Sequence, residues 1–184
     1  MTEETQDQFR IKYGGIRLLT MGEIKLAQSV FESTIDYSKV WIHRDSYLPF
    51  NLQNGNAAMT PNGEIYFRYH YRDDFSQSTD YMQHMFIHEM SHVWQRERGM
   101  NVICRGLVSW LVSYRYKIDG RLLSEYPMEQ QAQIIADNFI LQTFGYEIWN
   151  HLENKKYPDI TLDGDISEPV IRAGYRAALR GFPW

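Results

Sequence analysis

The stretch His88-Glu89-Met90-Ser91-His92 decides the fold and the chemistry expected of this chain. In a helix, residues at positions i and i+4 lie about one turn apart on the same face, so the two imidazoles can bind one metal ion. The glutamate between them lies one residue round the helix, where it can polarise a water on that ion without being a ligand. The pattern therefore predicts a helix that presents two metal ligands and a base.

The sequence around the motif has the start and stop signals of a long helix. Ser78 or Thr79 offers an N-cap, and Asp80 adds negative charge to the first turn. Gly99 supplies the stop. The side chains that recur at helical spacing and should face the core are Met82, Phe86, Met90 and Val93. His88 lies almost opposite this stripe, so we expect one side of the helix to pack and the other to be polar.

A zinc ion held by two histidines needs a third protein ligand and an open position for water. The arrangement H-E-x-x-H is typical of zinc metallopeptidases. Its extended form is excluded, because Gln95 and Arg98 occupy the positions where that form has Gly and His. The best candidate is Glu129, in a second predicted helix that opens at Pro127 and closes at Gly145. A carboxylate on its buried face is costly unless it meets a cation.

Other interpretations of these residues stay open. Glu129 could instead only complement the helix dipole near the N-terminus of its helix. The rival third ligands are Asp137, Glu125 and His151. His84 lies one turn before the motif, but about 12 Å of helix rise separates it from His92, so the two cannot share one ion. We therefore expect His84 to be a neighbour of the site at most.

The motif together with Met128-Glu129-Gln130-Gln131-Ala132 resembles the zincin-type metallopeptidase domains associated with bacterial Vgr and Rhs proteins of the type VI secretion system. The likeness spans roughly residues 16 to 145. Its further matching segments are Leu19-Thr20-Met21-Gly22-Glu23, Ile35-Asp36-Tyr37-Ser38-Lys39-Val40 and Met59-Thr60-Pro61-Asn62-Gly63.

The resemblance implies a gluzincin-like zinc metallopeptidase in which His88, His92 and Glu129 bind Zn²⁺ and Glu89 is the general base. Such an enzyme would hydrolyse peptide bonds of a peptide or protein substrate through a zinc-bound water activated by Glu89. Gln133 replaces the Asp of thermolysin-like enzymes, so support for a ligand histidine is expected from another residue, such as Asp137.

The same resemblance implies an antibacterial effector, a toxin delivered by type VI secretion, with the target-cell periplasm as one destination. A Vgr or Rhs secretion component and a cognate immunity protein are the partners it implies. Two other classes of function also fit the sequence. One is a zinc-stabilised interaction module whose fourth position is closed by His84 or Asp137. The other is a catalytically inactive relative that binds a partner through the same cleft.

A tyrosine between the two predicted metal helices is a candidate for stabilising the oxyanion. Peptidases of this class often use a Tyr, His or Arg opposite the metal for that purpose. Tyr114, Tyr116 and Tyr126 lie in this stretch, and we select Tyr116 from the thirteen tyrosines of the chain.

The composition indicates one compact α+β domain, mainly helical with a small antiparallel sheet. The chain has 184 residues, 43% hydrophobic and 15% aromatic, which argues against disorder. We place a flexible N-terminal tail at 1–12 and the zincin-like metallopeptidase domain at 13–184. Thr20 and Glu23 form a predicted capping box, and Thr60-Pro61-Asn62-Gly63 predicts a hairpin between 57–59 and 64–69.

The charge and the terminal sequence exclude several classes of protein. A formal net charge of −4 at pH 7 argues against a nucleic-acid partner. The single Cys104 excludes an internal disulfide, and no stretch predicts a membrane span. The polar segment Met1 to Gln8 is not a classical signal peptide. We therefore expect synthesis in a bacterial cytoplasm and export by another route.

Overall fold

The computed structural model describes residues 11–48, 58–102, 114–155 and 160–184. These ranges form a mainly helical α+β domain, which confirms the predicted fold class. The helices are α1 (Met21–Phe31), α2 (Asp80–Glu97), α3 (Met128–Thr143), α4 (Tyr146–Glu153) and α5 (Glu168–Ala178). The strands are β1 (Ile16–Leu18), β2 (Trp41–His43) and β3 (Ile65–Tyr66).

The small sheet is mixed, whereas the sequence suggested an antiparallel one. Its order is β1-β2-β3, with β1 antiparallel to β2 and β2 parallel to β3. The long connection between β2 and β3 lets the chain return beside β2 in the same direction. Ile42 and Ile65 are paired across this parallel contact, and both are fully buried in the core.

The predicted hairpin is present in a short form. Met59 and Tyr66 are antiparallel partners whose backbone groups exchange hydrogen bonds of 3.2 and 2.9 Å. Gly63 in the intervening turn has φ 77°, a conformation that favours glycine. Residue 57 of the predicted first arm lies outside the described residues. The hairpin holds Thr60 above α2.

The helix boundaries follow the local signals in the sequence. The capping box at the start of α1 is confirmed, because Glu23 N donates to Thr20 Oγ1 at 3.0 Å and Thr20 N donates to Glu23 Oε2 at 2.8 Å. Thr79 and Pro127 immediately precede α2 and α3. Helix α1 ends at Phe31.

Helices α2 and α3 pack against each other and form the centre of the domain. Ala132, Ala136 and Ile140 are fully buried, and their small or apolar side chains let the two helices approach closely. The polar side of α2 is buried as well as the apolar side, contrary to the simple amphipathic expectation. The reason is that α3 covers the histidine face.

In the described ranges, no helix has both the length and the apolar character that a bilayer crossing requires. Residues 1–10 of the predicted tail and Cys104 lie outside these ranges. The division into a tail and a domain at residue 13 therefore stays a prediction.

Candidate metal centre

Three side chains predicted as metal ligands converge at the contact between α2 and α3. Glu129 Oε2 lies 3.1 Å from His92 Nε2 and 3.5 Å from His88 Nε2. One ligand atom from each of the three residues lies within 4.8 Å of the others. Two atoms at tetrahedral corners about 2.1 Å from a zinc ion are about 3.4 Å apart, so the observed separations fit such an ion.

The spacing of residues along a single helix explains why the two histidines lie together. His88 and His92 are four residues apart on α2, and their ring centroids are 5.0 Å apart on one helix face. Glu129 comes from the first turn of α3, which lies across that face. All three residues are buried, and one carboxylate beside two imidazoles is a donor set that suits a divalent cation.

The electrostatic environment couples the three side chains. Burial alone would lower the pKa of His92, but the nearby carboxylate of Glu129 outweighs this effect and raises the pKa to about 9. Burial alone would raise the pKa of Glu129, but His92 and His88 hold it well below its ordinary value. Without a metal, the site therefore favours an imidazolium–carboxylate pair, and a metal ion would take the place of a proton.

Glu89 lies in the same buried layer and has a hydroxyl partner. Thr60 Oγ1 donates a hydrogen bond of 2.6 Å to Glu89 Oε2. Thr60 and Glu89 are only 4% and 6% exposed. The hairpin thus fixes the orientation of the carboxylate that the motif assigns as the base.

The side chain that contacts Nδ1 of the candidate ligand His92 is Gln95, whereas Asp137 contacts His84. His92 Nδ1 lies 2.8 Å from Gln95 Oε1. Asp137 Oδ1 lies 2.6 Å from Nε2 of His84, one turn before the motif, and also accepts from Gln133. Asp137 on α3 therefore contacts α2 one helical turn before the candidate metal ligands.

The three tyrosines considered for the oxyanion occupy different surroundings. The Tyr116 hydroxyl is buried, donates to Asp137 Oδ2 at 2.7 Å and lies 2.6 Å from the Tyr175 hydroxyl. Tyr126 donates to the carbonyl of Lys117. The ring of Tyr114 lies 5.9 Å from that of His88. Tyr114 is thus the tyrosine of the three that faces the ligand cluster.

The other rival ligands lie apart from the cluster. Glu125 is exposed, and its Oε2 accepts a hydrogen bond from the backbone N–H of Leu122. His151 is exposed on α4. His84 is a neighbour of the site, as expected, because its ring is bound to Asp137.

Two residues at the site were not identified from the sequence. Gln95 is three residues after His92, and that helical spacing could have indicated a contact. Thr60 is separated from Glu89 by 29 positions, and no local pattern links them.

The chain is similar to proteins of bacterial type VI secretion. It is 40% identical over 133 residues to the type VI secretion system spike protein VgrG2b of Pseudomonas aeruginosa. That match covers 67% of this chain and 13% of the spike protein, so the chain corresponds to a small part of it. No protein-family model matches the chain.

The fold is similar to a solved structure of the effector domain of Pseudomonas aeruginosa VgrG2b. The TM-score is 0.61 at 35% identity, and the alignment covers 80% of this chain and 84% of that domain. The expected relationship to a Vgr protein is thereby confirmed. Shared sequence and shared fold over most of both chains show that this chain belongs to the family of the VgrG2b effector domain.

Proposed function

We propose that this domain is a zinc-dependent metallopeptidase. The observation that carries the proposal is the convergence of His88, His92 and Glu129 within 4.8 Å beside the buried Glu89. Two imidazoles and one carboxylate are the ligand set of catalytic zinc sites that keep one position for water. Three protein ligands and an adjacent carboxylate base favour hydrolysis over a purely structural metal site.

The residues of the chain have separate tasks in this reaction. A zinc ion bound at the site would supply Lewis-acid polarisation of a water and of the scissile carbonyl. Glu89 would accept a proton from the attacking water and deliver it to the leaving amine. Thr60 would hold the carboxylate of Glu89 in one orientation during both transfers, since its hydroxyl donates to Oε2.

The contacts of Tyr114 support it, among the three tyrosines, as the donor to the developing oxyanion. Burial of its hydroxyl and the negative charges of Glu129 and Glu89 raise its pKa, so the group stays protonated and can donate. Tyr114 as a whole is 38% exposed, which leaves it accessible to a substrate. The role assigned to Tyr116 from sequence stays a prediction, and its hydroxyl contacts support a positioning role through Asp137.

The relationship to a secretion spike protein supports a biological setting for this activity. We propose an antibacterial effector that type VI secretion delivers as part of, or together with, a Vgr or Rhs component. A peptide or protein in the target cell, with the periplasm as one compartment of action, would be its substrate. A cognate immunity protein would protect the producing cell.

The central test compares Glu89→Gln with Glu97→Gln. Both substitutions remove one carboxylate from α2, but Glu97 is exposed near the end of the helix. We expect Glu89→Gln to bind zinc like the wild type and to lose peptide hydrolysis, while Glu97→Gln keeps both properties. Active and Glu89→Gln proteins would be compared by a proteome-wide search for new N-termini in treated bacteria. Equal cleavage by the two proteins would refute the proposal.

A second measurement separates the enzyme from a zinc-stabilised interaction module. A hydroxamate inhibitor needs a free coordination position, whereas a closed structural site has none. We expect zinc-loaded protein to bind a hydroxamate and the metal-free protein to bind it far more weakly. Zinc-loaded protein that does not bind the inhibitor would favour the module.

A further inference from the structure

The buried side chain of Gln95 connects a candidate ligand on α2 to the segment that leads into α3. Gln95 is fully buried, and its Nε2 donates to the backbone carbonyl of Met128 at 2.8 Å and to Gln131 Oε1 at 3.2 Å. Gln131 Nε2 in turn donates to the carbonyl of Tyr126 at 2.7 Å. The two amides therefore form a continuous chain between the helices.

The two backbone carbonyls fix the direction of this chain. A carbonyl oxygen only accepts hydrogen bonds, so the amide nitrogens of Gln95 and Gln131 must face Met128 and Tyr126. The oxygen of Gln95 then faces His92 Nδ1, and this ring nitrogen must carry the hydrogen. When the metal-free imidazolium gives up its Nε2 proton, the lone pair of this nitrogen faces Glu129, where a metal ion would be bound.

We propose that Gln95 is a positioning residue that selects the metal-binding tautomer of His92 and ties that ring to the helix turn carrying Glu129. The inference rests on the metal site proposed above. A neutral amide takes the place that a carboxylate often has beside a ligand histidine. The amide also holds Met128, the residue directly before Glu129, so one side chain positions ligands from both helices.

The matched variants are Gln95→Met and Gln83→Met. Gln83 is also buried on α2, and its amide also donates to backbone carbonyls, at Ser78 and Ser76, away from the ligand cluster. The zinc dissociation constant would be measured by competition with a chromophoric chelator, and thermal unfolding would be measured on the metal-free proteins. We expect both variants to lose stability, because each loses buried hydrogen bonds.

Only Gln95→Met should lose zinc affinity. Loss of a group that orients a metal ligand weakens binding about 10- to 100-fold, and we expect a change in that range. The Gln83→Met dissociation constant should stay within about twofold of the wild-type value, since distant sites are nearly independent. Wild-type affinity in Gln95→Met, or an equal loss in Gln83→Met, would overturn the positioning role.

A second variant covers the case in which Gln95→Met does not fold. Gln95→Asn keeps an amide in the interior but is one methylene too short to reach both His92 and Met128. We expect it to bind zinc at least about tenfold more weakly, and unchanged affinity would overturn the inference. A wild-type protein that binds no zinc would overturn the metal site and this inference together. A wild type that binds zinc tightly without hydrolysing peptides would count only against the peptidase.

Discussion

Thr60 Oγ1 lies 2.6 Å from Glu89 Oε2, and both side chains are buried at the contact between the hairpin and α2. The hydroxyl has no other role in the proposed reaction than to orient this carboxylate. An oriented base keeps its acceptor oxygen in line with the attacking water, so this hydrogen bond should affect the rate more than it affects metal binding.

Thr60→Val removes the hydroxyl and keeps the shape of the side chain. We expect kcat to fall by about tenfold, because a hydrogen bond to a charged group contributes about 1.5 kcal/mol. The zinc dissociation constant should not change. Thr60→Ser, which restores the donor, should recover most of the rate in the same peptide assay. A Thr60→Val enzyme with wild-type kcat would show that Thr60 has no positioning role.

Glu129→Ala should release zinc. Removing a residue that only orients a ligand weakens binding 10- to 100-fold, so loss of the carboxylate ligand should cost more than about a hundredfold. Equilibrium dialysis with zinc measures the change. Glu125→Ala is the control, because Glu125 is exposed and accepts from Leu122 N. Full zinc retention by Glu129→Ala would require another third ligand.

Zinc binding should release a proton near neutral pH. Ion pairing with Glu129 raises the pKa of metal-free His92 to about 9, above its ordinary value of 6.5, and the metal must displace that proton. The zinc affinity should therefore rise roughly tenfold per pH unit from pH 7 and level off near pH 9. Calorimetry in buffers of different ionisation enthalpy would detect the proton. Affinity independent of pH over this interval would contradict the expected ion pair.

The same pair should make the metal-free stability depend on pH. A raised pKa of His92 stabilises the folded state fully below pH 6.5, and this contribution is lost as the pH rises toward 9. The pKa of Glu129 is lowered, so this residue stabilises the folded state at pH values above 4.5, the ordinary pKa of a glutamate. That contribution is lost as the pH falls below 4.5. Urea unfolding of metal-free protein between pH 6 and 9 should show the decline, and Glu129→Gln should flatten it.

Tyr114→Phe should lower the catalytic rate, whereas Tyr116→Phe should lower the stability of the fold. Loss of the Tyr114 hydroxyl should lower kcat with little change in the unfolding free energy, as expected of an oxyanion donor. Loss of the Tyr116 hydroxyl leaves Asp137 short of a buried donor and should cost about 1–3 kcal/mol of stability. Unfolding curves and kinetics of both variants decide between the two residues. A large kcat loss in Tyr116→Phe alone would restore the sequence-based assignment.

Local sequence patterns determined the helices and half of the site. Thr20 marks the start of α1 because its side chain caps the helix, and a cap depends on atoms within one helical turn. Thr79 precedes α2 as the sequence predicted, although its side chain makes no capping hydrogen bond. The pairing of His88 with His92 follows from helical periodicity alone. The sequence also offered Glu129 as the best of several third ligands, and the resemblance to a Vgr-associated domain implied the same residue.

Only the tertiary structure decided which distant residues meet at the site. Glu129 faces His92 across 37 positions of sequence, and Thr60 faces Glu89 across 29. Such contacts depend on how α2, α3 and the hairpin pack, and no local pattern in the sequence encodes that packing. In the folded protein, His84 is hydrogen-bonded to Asp137 and His92 to Gln95. The partner of a buried imidazole is the polar group that the packed helices bring within hydrogen-bond distance, so the sequence alone does not identify it.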